Sequence, residues 1–252
     1  MQRSEAVSNA VVLAADAPTR LRERLAVPSG RAPRLAFVAG PGDVVGTFEH
    51  WMEGRHDARV PVLTYSAQFY SMVAALDADA LVITESEREP RTANEQFRFV
   101  SVARDRSARH IAWHLAEQDY ARRLVAAIEQ WVPDATIVGG DLKPAAYRAL
   151  ARHARLFLTL HNTFWPKGVR PAGLHARIRQ WALGRALSRA SGAVCTSPEC
   201  VRQLAALVGS VRQVEAEMPQ VLATHLHPLR KREKARKLLF LGRIEVSKGI
   251  FD

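Results

Sequence analysis

Four short stretches of this 252-residue chain place glycine, aspartate, histidine or basic residues directly after an apolar run. The first is Ala39-Gly40-Pro41-Gly42-Asp43-Val44-Val45-Gly46. Glycines let a backbone turn tightly and approach a phosphate, and a helix that follows offers N–H groups and a positive dipole end. Gly42 is therefore a candidate for close approach to a phosphate. Asp43 is an unwelcome charge beside a pyrophosphate but well placed as a helix N-cap, and is a candidate contact for a substrate. The spacing G-x-G-x-x-x-G comes near the dinucleotide fingerprint without matching it. A nicotinamide enzyme should also carry an acid after its second strand to hold the ribose. Leu63-Thr64-Tyr65-Ser66-Ala67-Gln68, which follows the predicted second strand, has none.

The second stretch is Gly139-Gly140-Asp141. Asp141 could accept hydrogen bonds from a hydroxylated ligand, or cap a helix beginning near Lys143-Pro144. The third is Thr159-Leu160-His161-Asn162-Thr163. A lone histidine in apolar surroundings is usually packed or capping. At the end of an apolar strand it can instead reach a cleft, where an imidazole suits hydrogen bonding to a hydroxyl or a transferred group. Asn162 follows it as a further polar candidate. The fourth stretch runs through Gly242-Arg243 to Lys248-Gly249. Two cations beyond one strand end can clamp a diphosphate, and the alternative is a solvated basic loop.

Other chemistries find less support. His110 and His114 are four apart and could face one metal, but without an H-E-x-x-H pattern they read as surface histidines. Two cysteines, Cys195 and Cys200, make neither a disulfide framework nor a four-cysteine zinc site. They fit a reducing cytoplasm, the expected location. No apolar run reaches the roughly 18 residues of a membrane span. The six-residue apolar stretch 10–15 is too short for a signal peptide. No helix-turn-helix, RNA-recognition or zinc-finger pattern points to nucleic acid.

The formal charge is +11, from 36 basic and 25 acidic residues, and it is regional. Residues 142–198 hold Lys143, Arg148, Arg152, Arg155, Lys167, Arg170, Arg177, Arg179, Arg185 and Arg189, and no acid. A second basic stretch spans 229–248. Such clustering favours an anionic partner on part of the surface: a sugar phosphate, a glycan or an anionic membrane at its inner face. A helix predicted at 173–190 carries Arg177, Arg179, Trp181 and Arg185, but its apolar residues are spread around it. Packing against a sheet is expected, rather than lying flat in lipid.

These loops need a scaffold. Short apolar β-type runs at 35–39, 60–64, 80–84, 97–102, 136–138, 156–160, 193–196, 211–215 and 237–241 read as strands. Helical patterns fall between them at 44–51, 68–76, 109–131, 144–153, 173–190 and 198–208. Continuous apolar strands, not alternating ones, indicate a parallel sheet covered on both faces. Strand–helix repetition gives a doubly wound α/β domain, whose ligands bind beyond the carboxyl ends of the strands. Residues 1–33 read as a flexible tail, 34–228 as the α/β domain, and 229–252 as a linker and the start of a further unit.

Stretch 238–249 resembles the first strand and loop of the C-terminal domain of family 4 glycosyltransferases, which have the GT-B fold. Pro133-Asp134 with the strand after it, followed by Leu158-Thr159-Leu160-His161, resembles paired strands of that family's N-terminal domain. Residues 190–201 resemble its strand–serine–helix segment. The resemblance covers about 34–252. It implies a Rossmann-like N-terminal half of a GT-B enzyme that moves a sugar from a nucleotide-sugar donor to a glycan or lipid-linked acceptor with retention, without cofactor or metal. Arg243 and Lys248 would neutralise the donor diphosphate, Gly42 would touch it from across the cleft, and His161 would contact the transferred sugar or the acceptor. Many members carry His-x-His where this chain has Gly139-Gly140-Asp141. The chain ends at Asp252, early in the second domain, so very weak transfer by this chain alone is expected. The other expectation is a non-catalytic module that binds anionic lipid or glycan through residues 142–189.

Overall fold

The computed structural model describes residues 15–40, 42–55, 57, 64–169 and 171–209, together with the backbone of 214–216. Strands and helices alternate along it. In chain order they are α1 (Ala17–Leu25), β1 (Arg34–Val38), α2 (Val44–Met52), α3 (Tyr65–Ala75), β2 (Asp79–Thr84), β3 (Phe97–Ser101) and α4 (His110–Trp131). There follow β4 (Ala135–Val138), α5 (Pro144–His153), β5 (Arg155–Leu160), α6 (Leu174–Leu187), β6 (Gly192–Cys195), α7 (Pro198–Val208) and β7 (Val214–Ala216).

The strands form one sheet in the order β3-β2-β1-β4-β5-β6-β7, and every neighbouring pair is parallel. Parallel strands need crossover helices, which cover both faces, and this explains the unbroken apolar runs. Side chains alternate between two cores. Ala36, Val38, Leu81, Ile83, Leu156, Leu158 and Cys195 meet Leu124 and Ile128 of α4, Leu150 of α5, Leu187 of α6 and Leu204 of α7. Leu35, Phe37, Ala80, Val82 and Ala135 meet Phe48 of α2 and Phe69, Tyr70 and Val73 of α3. The arrangement is compatible with a Rossmann-like fold.

Helix starts follow their capping residues. Asp43 accepts from the Gly46 N–H at 2.8 Å, Thr64 from Ala67 at 3.1 Å, and Ser197 from Cys200 at 3.2 Å. Pro144 and Pro198 open α5 and α7, where a missing N–H costs nothing.

Two expectations change. The segment expected to be a tail contains α1, whose Leu25 is buried and whose Ala17 and Leu21 pack on the second core. Arg31 then makes a two-pronged pair with Asp134 at 2.8 and 2.5 Å, and Asp134 also accepts the Arg34 N–H at 2.8 Å. α1 is about two and a half turns long, and only Ala17, Leu21 and Leu25, four apart, carry its apolar face. The other change concerns the neighbour of β1. The strand predicted at 60–64 lies outside the described residues apart from Thr64, and β2 takes the place beside β1. Glu85 follows β2, so the missing acid no longer argues against a dinucleotide site. The strand predicted at 237–241 also lies outside the described residues, as does the whole of 229–252.

Candidate functional site

Strand order reverses between β1 and β4, which lead to opposite halves of the sheet. At such a switch the connections leave in opposite directions and open a crevice beyond the carboxyl ends. The first and second glycine stretches meet there. A Cβ on Gly40 would fall 2.6 Å from the Gly139 carbonyl oxygen, so the two backbones touch only because Gly40 has no side chain. The Gly139 N–H donates to Val38 O at 2.9 Å and fixes the register of the contact. Gly42 lies at φ +140°, and a Cβ there would meet nothing within 4 Å. The backbone at Gly42 is therefore open to an approaching group.

The loop after β4 is held from below. The Tyr147 hydroxyl donates to Gly140 O and accepts the Leu142 N–H, both at 3.2 Å. Burial pushes this phenol up to about 12, so it stays protonated as a donor. On the far side, Arg104 donates to Asp141 O at 3.2 Å. Arg104 is itself gripped by Glu117 of α4 through two bonds of 2.7 Å and lies 3.7 Å from Glu85. The Glu117 pairing raises the Arg104 pKa further and outweighs the effect of burial. The Lys143 ammonium lies 3.9 Å from the centre of the Trp113 ring. Burial pulls its pKa below the ordinary lysine value, and the Glu117 charge opposes that.

His161 leaves β5 beside this loop. The Gly139 backbone carbonyl faces its ring, and the Tyr65 ring meets it edge-on with centroids 4.1 Å apart. Its own carbonyl accepts the Thr196 hydroxyl at 2.9 Å, which ties the ends of β5 and β6 together. Desolvation holds the imidazole below its ordinary 6.5, with the Gly139 bond and the Asp141 charge pulling the other way. The balance favours the uncharged ring. A neutral imidazole carries one N–H and one lone pair, so it can accept from a hydroxyl.

His161 and Asp141 therefore come together with the Gly40–Gly139 contact. Asp43 stays at the start of α2, with Arg88 3.6 Å away. Asn162 is exposed next to His161, and its carbonyl accepts from Cys200 Sγ at 3.5 Å. Arg243 and Lys248 lie outside the described residues. His110 and His114 are exposed at the start of α4. Among the described residues no cluster of three or more His, Cys, Asp or Glu could hold a metal, and no helix is long and apolar enough to cross a membrane.

Sequence reasoning missed Tyr65, Thr196 and the Glu85–Arg104–Glu117 group. Thr196 stands at a strand end, a signal that was readable. Tyr65 and Arg104 reach the site across the sheet, from elements with no periodic relation to it. No model of a known protein family matches the sequence, and no curated protein matches it either.

Proposed function

We propose that the crevice beyond β1, β4 and β5 is the acceptor side of a glycosyl-transfer site, in a retaining enzyme of the GT-B type that uses a nucleotide sugar. The observation that carries this reading is the placement of the His161 ring at the sheet's switch point, against Tyr65 and beside the Gly139 carbonyl and the exposed Asp141. A sugar presents hydroxyls, and a neutral imidazole with a carboxylate beside it suits hydroxyl recognition. His161 accepts from a hydroxyl near the reacting carbon, and Asp141 holds the acceptor. The open backbone at Gly42 approaches the diphosphate, which Arg243 and Lys248 neutralise as it leaves. The acceptor oxygen takes the place of the diphosphate on the sugar, and its proton is released.

The test is binding and turnover across a panel of nucleotide sugars, with His161 followed by NMR. One donor is expected to bind and shift the His161 ring signals. Arg243→Ala and Lys248→Ala should weaken that binding. His161→Ala should abolish the very weak turnover expected of this chain while the donor still binds. If no nucleotide sugar perturbs the protein, the reading fails.

One observation favours a second reading, a nicotinamide-dependent oxidoreductase: Glu85 follows the neighbour of β1, where such enzymes hold a ribose. Two features oppose it. Arg106 engages both Glu85 oxygens at 2.9 Å. The Asp43 carboxylate occupies the start of α2, where a pyrophosphate would otherwise bind. NAD and NADP in the same panel separate the readings.

A further inference from the structure

α6 is buried at Gly184, Ala186 and Leu187, while another face of it is exposed. Gly184, Ala186 and Leu187 pack inward, and a Cβ on Gly184 would lie 2.2 Å from Leu207 O, so α6 and α7 touch backbone to backbone. The first turns project past this contact. Leu174, Ile178 and Trp181 are 75%, 56% and 66% exposed. Their spacing of four and then three residues places them in one stripe along the helix. Arg185 continues the stripe, with its guanidinium 5.8 Å from the centre of the Trp181 ring. Arg177 and Arg179 are exposed in the same turns, and Val169 is 57% exposed in the loop before. The earlier expectation that this helix packs on the domain thus holds for the face carrying Gly184, Ala186 and Leu187, and not for the stripe.

We infer that the stripe Leu174, Ile178 and Trp181, with Arg177, Arg179 and Arg185, docks on an anionic lipid bilayer. Charge selects the occupant. The stripe sits inside the acid-free stretch 142–198, so it combines exposed apolar area with charge of one sign. A second copy meeting the same face across a two-fold would set arginine against arginine. A bilayer with anionic headgroups satisfies both parts. Tryptophan suits the headgroup level, leucine and isoleucine enter the acyl boundary, and arginines pair with phosphates. A helix between parallel strands starts at the carboxyl edge of the sheet, so the stripe and the His161 crevice share one edge. The docking does not depend on what chemistry that crevice performs.

The experiment is flotation of the full chain with vesicles, either equal parts phosphatidylglycerol and phosphatidylcholine, or phosphatidylcholine alone. The chain is expected to float with the anionic vesicles, to be released by high salt, and to stay behind with the neutral ones. Leu174→Ser, Ile178→Ser and Trp181→Ser combined should lower partitioning by about tenfold or more. Arg177→Gln and Arg185→Gln should each lower it by about fivefold. All of these positions are exposed, so the thermal midpoint should stay unchanged and certify the fold. The inference is overturned if the chain ignores anionic vesicles or if the triple serine variant floats as well as the parent. A dimer in sedimentation that the same substitutions dissolve would also overturn it, assigning the face to a second copy.

Discussion

His161 is the residue on which the proposed chemistry turns, and its charge state is set by three neighbours. Desolvation favours the neutral ring, and the Gly139 carbonyl and the Asp141 carboxylate favour the cation. The balance lies on the neutral side, so protonation sets in only below the ordinary 6.5. Asp141→Asn removes one of the two opposing influences. The His161 pKa should then fall further, which an NMR titration of its ring would read directly. A rise would mean that Asp141 does not act on His161 through its charge. Tyr65→Ala works in the other direction. It lets water reach one edge of the ring, weakens the desolvation and should raise the pKa toward 6.5. The two variants have opposite signs, so one titration experiment separates charge from solvation.

Between elements, the crevice depends on how closely two loops approach. Gly40→Ala puts a methyl 2.6 Å from Gly139 O, and neither partner is a flexible side chain that could swing away. The cost should be about 1–3 kcal/mol, read as a lower denaturation midpoint with unchanged slope. Gly42→Ala meets no atom, only an unfavourable φ, and should cost about 1 kcal/mol. This close approach explains what was legible in the sequence. The glycine pairs could be recognised as turns beyond strands, and α5 and α7 fall at 144–153 and 198–208 as their capping and periodicity require. Their contact could not be foreseen, because it depends on strand order, and order is decided by which helix covers which face. The same holds for α1. Leu21 and Leu25 are unremarkable in sequence, and only the gap left beside α3 makes them core residues. Glu85 shows what strand order adds: the acid was sought after the strand predicted at 60–64, whereas β1 pairs with β2, which Glu85 follows.

Across the whole domain, two ion-pair systems join parts far apart in the chain, and they should fail in different ways. Asp134 ties the segment after α1 to the start of β4. Burial pulls its pKa up, but the bonds from Arg31 and the Arg34 N–H outweigh this and hold it below the ordinary 3.8. Its contribution is complete above that value and is lost as pH falls through the lower folded value. Arg31 is 41% exposed, which limits the pair to about 1 kcal/mol. In acid α1 should therefore exchange its amides before the sheet does, and Asp134→Asn should produce the same early exchange at neutral pH. The Glu85–Arg104–Glu117 group behaves differently because it is enclosed, with Arg104 only 13% and Glu117 8% exposed. Glu117→Gln keeps the shape but leaves the guanidinium without its principal counter-charge. Breaking a pair so buried costs about 3 kcal/mol, or roughly 10 °C in thermal midpoint for a domain of this size. Arg104 also holds Asp141 O, so the loop beside His161 should shift with it. A lower midpoint with an unmoved His161 resonance would show that the network supports the fold alone. Movement of both would make Arg104 a positioning residue for the crevice.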